Sequence, residues 1–172
     1  MAQTDLRKRS VQEKMNSMDI DLITMDMTTD AETIADNYLI SQPIEIPNAV
    51  AVEGGSAIIQ SLIISNLDNS TESPAMEVVF TSADTAMAGD EGAVINAADG
   101  TVEKMLGTIV VSNWSVMAPS TNEIATKTNV GLVIKANSGT RSIYAALINR
   151  SGGDYTPSGS GVIQMKVGIV KD

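Results

Sequence analysis

Apolar positions follow two different rhythms along the chain. Val11, Met15, Met18, Leu22 and Met25 recur at spacings of 4, 3, 4 and 3, which would place them along one stripe of a helix. Met18-Asp-Ile-Asp-Leu22 alternates equally well as a strand, and Thr28 and Thr29 interrupt the pattern, so helix and strand both stay open over residues 18–27. A second helix is better signalled. Thr29 and Glu32 have capping-box spacing, and Ala31, Ile34, Ala35, Tyr38 and Leu39 then fall on one face, predicting an amphipathic helix over residues 30–39. Three turns cannot hold themselves together in water, so this arm must lie on its own domain or on a neighbouring subunit, or stay disordered.

From Pro43 the rhythm becomes that of strands. Residues 44–53, 57–67, 76–82, 108–117, 129–136, 142–149 and 161–170 are rich in Val and Ile and bounded by Gly, Pro, Asn and Ser, which predicts seven strands. Asn137-Ser-Gly139-Thr140 reads as a tight hairpin turn, because Gly139 accepts a positive φ. Residues 99–106 read as a short helix with Asp99 as N-cap and Gly107 as its left-handed C-terminal stop. Short strands without alternating helices predict a mainly β fold, an antiparallel β-sandwich with the jelly roll among the forms it admits. The expected division is an N-terminal, partly helical arm at 1–42 and a sandwich domain at 43–172.

Composition sharpens that boundary. Residues 1–42 contain neither Gly nor Pro, whereas all 13 Gly and all 5 Pro follow. Charge divides the chain differently: residues 1–14 carry net +2, residues 15–103 hold 16 acids and no Lys or Arg, and residues 104–172 carry net +4. The formal total of −10 disfavours nucleic acid as a partner. No stretch is apolar over the ~18 residues a membrane helix needs, and the polar first 14 residues do not read as a leader.

Candidate chemistry is thin. The chain has no His and no Cys, which removes zinc sites of the usual kind, disulfides, thiol nucleophiles and every His-based relay. Gly54-Gly55 and Gly159-Ser-Gly161 lack the Lys-Ser/Thr or third Gly of a phosphate loop and read as turns. Thr101 and Lys104 stand one helical turn apart, a spacing common on exposed helices. The acids around residues 68–72 and 84–91 supply oxygens for Ca²⁺ but not the EF-hand order, and read as solvated loops. Arg7-Lys-Arg9 is a basic run at the start of the arm. Only five rings occur, too few for the stacking platforms of a sugar cleft. No catalytic, cofactor-binding or metal-binding residue is assigned. The arm's Val11, Met15, Met18, Leu22 and Met25 are the candidate partner contacts, since Met suits an adaptable contact surface.

Five segments carry a family likeness: Ile46-Pro-Asn-Ala-Val50, Ala57-Ile-Ile-Gln-Ser-Leu62, Lys127-Thr-Asn-Val-Gly-Leu-Val-Ile-Lys135, Arg141-Ser-Ile-Tyr-Ala145 and Lys166-Val-Gly-Ile-Val-Lys-Asp172. In order and texture they resemble small structural proteins encoded in tailed-phage genomes. The resemblance implies a non-enzymatic virion protein of the capsid, a cement or decoration protein bound to the major capsid protein, in several copies on the shell and without a cofactor. The alternative is a tail, baseplate or fibre component that recognises a host surface, which exposed rings at loop tips would favour. A carbohydrate-active enzyme would need two facing carboxylates in a cleft with rings beside them.

Overall fold

A computed structural model describes residues 19–27, 29, 32–68, 74–87, 90–159 and 162–171. Among these residues run β1 (Asp19–Met27), β2 (Leu39–Ile46), β3 (Ser56–Asn66), β4 (Met76–Thr81), α1 (Asp99–Val102), β5 (Met105–Val111), β6 (Trp114–Val116), β7 (Glu123–Lys135), β8 (Ile143–Asn149) and β9 (Ile163–Lys171). They form two sheets, ordered β1-β9-β3-β7-β6 and β2-β8-β4-β5, and every pairing is antiparallel. Without the three-residue β6, this is the eight-strand order of a jelly roll, in which successive strands mostly change sheets. The mainly β sandwich read from the sequence is the fold observed.

Period-two alternation builds the core between the sheets. Met25 and Met27 of β1, Ile59, Leu62 and Ile64 of β3, and Met165, Val167 and Ile169 of β9 point inward from one sheet. Val78 and Phe80 of β4 and Ala145 and Leu147 of β8 meet them from the other. Gly107 of β5, at φ 151°, lies where a Cβ would stand 2.7 Å from Leu132 Cδ1 of the facing sheet, so a side chain there would push the Leu132 methyls aside.

Several local readings are resolved or corrected. The helix expected over residues 30–39 is not formed by the described residues of that stretch. Ile34 instead bridges Tyr155 through two backbone hydrogen bonds of 2.7 and 2.9 Å and is buried, and Asn37 adopts φ 67°, which a right-handed helix does not admit. Burial of Ile34 and Leu39 between packed strands outweighs a helical periodicity of three turns. Residues 19–27, open between helix and strand, are a strand. The compositional boundary at Pro43 falls inside β2, where a proline is tolerated because β2 is an edge strand with shifts in its register.

The turn at 137–140 has Gly139 at φ 81°, but β7 and β8 belong to different sheets, so it is a corner and not a hairpin. The expected strand over residues 108–117 is two: β5 lies in one sheet, and past Ser112 and Asn113 β6 joins the other. The short helix spans Asp99–Val102 only; Ala98 is its N-cap, without a side-chain bond, and Gly107 sits within β5.

Candidate docking face

The outer faces of the two sheets differ. Over β2, β8, β4 and β5 the described residues of the β4–β5 connection, 82–87 and 90–104, fold back as a cover. It buries Met87 against Leu39, Val79, Ala146 and Ile148, with Ala93, Ile95 and Met105 packed around them. Leu39 is tied to the cover by bonds from its N–H to the Ala93 carbonyl (3.0 Å) and from the Gly92 N–H to its own carbonyl (2.8 Å). The cover carries Asp84, Asp90, Glu91, Asp99 and Glu103 against Lys104 alone, so that side of the molecule is negative.

The five-stranded sheet has an open outer face. Its pairing registers align Ile20 with Val170, Val170 with Ile58, and Ile58 with Val133 in one row across β1, β9, β3 and β7. At the ~4.8 Å spacing of neighbouring strands this row spans about 14 Å. Ile20 is 72% exposed, Ile58 41% and Val133 63%, and Val170 is half-buried among them. The next row aligns Leu22, Gly168, Ser61 and Thr128. Leu22 is 58% exposed, and a methyl at Gly168 would collide with the Ser61 hydroxyl, so this glycine keeps the face low beside Leu22. Farther along stand the row Thr24, Lys166, Ile63, Thr126 and then Asp26, Gln164, Ser65, Ile124. The face thus grades from apolar at one end to polar at the other.

Of the five contact residues read from the sequence, Val11, Met15 and Met18 lie outside the described residues. Leu22 is on the open face, whereas Met25 is 7% exposed and in the core. A separation of three residues puts side chains together on a helix but on opposite faces of a strand. The reading missed Ile20, Ile58, Val133 and Val170. Their signal was the Ala57-Ile58-Ile59 run, where apolar residues occupy both parities of a strand.

Elsewhere the chemistry is structural. A surface cleft of about 480 Å³ is lined by Glu53, Ser82, Leu106, Lys135 and Asn137 among others, with no ring in its wall. Thr101 Oγ1 of α1 lies 3.0 Å from Thr85 Oγ1 and ties two parts of the cover together. Lys171, buried, pairs with Asp21, and Arg150 Nε meets Glu77 Oε2 at 2.7 Å. Asp68 accepts a 2.5 Å bond from the Ser158 N–H. Among the described residues no three carboxylates converge as a metal cluster would require. Burial, then the negative Glu45 and Asp84, hold the Tyr144 phenol above its ordinary pKa of 10.0.

No family profile and no curated protein matches the chain. Among solved structures it is similar to one of Triatoma virus, at 10% identity and a TM-score of 0.21, over 97% of this chain and 68% of that one. It is also similar to one of infectious bursal disease virus Gx strain, at 13% identity and a TM-score of 0.18, over 90% of this chain and 41% of that one. The jelly-roll assignment rests on strand order.

Proposed function

We propose that this protein is a non-enzymatic structural component of a virion, a cement or decoration protein that binds the major capsid shell and stabilises it. The observation that carries this reading is the apolar row Ile20, Val170, Ile58, Val133, laid across four strands and left open, whereas the β4–β5 connection covers most of the opposite sheet face and leaves Val110 of β5 49% exposed. An exposed contiguous apolar patch on a soluble domain marks an interaction surface. Jelly rolls are a recurrent architecture of viral shells, lectins and cupins, and the likeness of five segments to tailed-phage structural proteins selects the first of these. In this reading the open face lies on the shell and the acidic cover faces solvent.

The tail or fibre alternative called for rings at loop tips. Phe80 and Tyr155 are buried and Tyr38, Trp114 and Tyr144 are half-buried, so none is presented in that way.

The test is binding to purified shells assembled from the major capsid protein of the same genome. Wild-type protein should co-sediment with the shells and raise their melting temperature. The double variant Ile58→Asp with Val133→Asp should unfold like the wild type yet fail to bind. Absence of wild-type binding at every salt concentration overturns the reading.

A further inference from the structure

The five-stranded sheet ends in two unlike edges. On one side β1 pairs only with β9 among the described strands and carries Asp19, Asp21 and Asp26 with no base. On the other, β6 pairs with only three residues of β7, at 123–125, so the rest of β7 forms the edge. That stretch, residues 126–135, carries Lys127 and Lys135 and no acid. Both lysines are exposed, and neither enters an ion pair among the described residues. Asp21 is paired with Lys171, and Asp26 accepts a bond from Gln164 Nε2 at 3.0 Å, which leaves an acidic excess on β1. Exposed apolar side chains stand beside each set of charges: Ile20 and Leu22 on β1, Val133 on β7, and Val116 and Met117 at β6.

We propose that copies of this chain associate head to tail, the acidic β1 edge of one against the basic β7 edge of the next. Charge selects this pairing over its alternative. Bringing β1 against β1 would gather the acids of two copies along one seam, with only the two Lys171 side chains to offset them, and like charges across neighbouring strands are destabilising. Strand direction is compatible as well. Directions alternate from β1 through β9 and β3 to β7, so a second β1 laid beside β7 in the same sense continues the antiparallel order.

Asn129 at φ 55° and Gly131 at φ 67° bulge β7 opposite β3, which interrupts its free edge. The contact is therefore made by charges and flanking apolar side chains, not by one unbroken ladder. Because its two surfaces differ, the contact is heterologous, and repeated copies build a ring or an open row. The inference goes beyond shell binding and does not depend on it: the edge contact uses the ends of the apolar row, Ile20 and Val133, while Val170 and Ile58 on the central strands stay free.

The experiment is sedimentation of the full chain in solution, without shells. Wild-type protein at high concentration and low salt should form species larger than a monomer, and 1 M salt, where the screening length is ~3 Å, should dissociate them. Asp19→Lys with Asp26→Lys should give a monomer, as should Lys127→Glu with Lys135→Glu. An equimolar mixture of the two double variants should restore the large species, and so should a chain carrying all four changes. A wild type that stays monomeric, a charge-reversed variant that still assembles alone, or a mixture that fails to reassemble overturns the proposal.

Discussion

The two outer faces of the sandwich begin from similar strands and end in opposite conditions. β8, Ile-Tyr-Ala-Ala-Leu-Ile-Asn, and β3, Ser-Ala-Ile-Ile-Gln-Ser-Leu-Ile-Ile-Ser-Asn, both carry apolar residues at inward and outward positions. On β8 the outward Ala146 and Ile148 are buried beneath the β4–β5 connection; on β3 the outward Ile58 stays exposed in a row with Ile20 and Val133. Apolar residues at both parities therefore say that a strand is to be covered on both faces. They do not say whether the cover is the same chain or another molecule.

The largest test of this contrast removes the cover. Ser82 N–H already bonds to the Lys104 carbonyl at 2.9 Å, so a short Gly-Ser link can replace residues 83–103 without moving β4 or β5. Exposing Leu39, Val79, Ala146 and Ile148 should lower stability by about 3 kcal/mol or more and make the protein aggregate. A well-behaved, equally stable product in denaturant titration would dissolve the distinction between the faces.

A matched pair of substitutions makes the comparison on single side chains. Ile148→Ala, beneath the cover, should cost about 2–4 kcal/mol, whereas Ile20→Ala, on the open face, should stay within about 0.5 kcal/mol. Equal losses in chemical unfolding would mean that the open face is packed in the protein as purified.

A finer test addresses the orientation in the proposed shell contact. Val133→Asp should speed dissociation from shells, because it places a charge in the desolvated contact. Asp99→Asn with Glu103→Gln, on the cover, should leave dissociation unchanged and alter only the salt dependence of association. Release measured by dilution would separate the two; faster release from the cover variant would reverse the orientation.

The smallest effect is a titration. Tyr144 lies on the covered sheet, and its raised pKa means the folded state holds the phenolic proton more tightly than the unfolded chain does. Stability should be unaffected below the ordinary pKa of 10.0 and should fall as pH rises through the interval between that value and the folded one. Tyr144→Phe should abolish this dependence, and a phenolate that forms at the ordinary value in an absorbance titration would contradict it.

Much of the sandwich was legible because strands write their burial at period two; six of the seven predicted strands have a clear counterpart, while the strand expected over residues 44–53 meets β2 only at 44–46 and is turn beyond it. What failed did so where tertiary contacts decide. Residues 30–39 have a helical periodicity, yet Ile34 is held by Tyr155 in a backbone bridge, a partner 121 positions away that no local window contains. The β5–β6 break had a signal that was passed over: Ser112 and Asn113, boundary residues elsewhere in the chain, stand inside an apolar run and here carry the chain between sheets. Of the candidate face, one residue was named. Leu22 was named from a helical spacing and is exposed on a strand, while Ile20, Ile58, Val133 and Val170 become neighbours only once the register of four strands is known.

The position of β9 has a consequence for folding. It sits second in its sheet, paired with β1 on one side and β3 on the other, so Asp19 lies opposite Lys171, 152 positions away. Until residues 163–171 are in place, β1 has no partner among the described strands and β3 lacks one of its two, so the five-stranded sheet cannot close. Its folding is governed by long-range closure, and an intermediate that lacks β9 exposes raw strand edges open to aggregation.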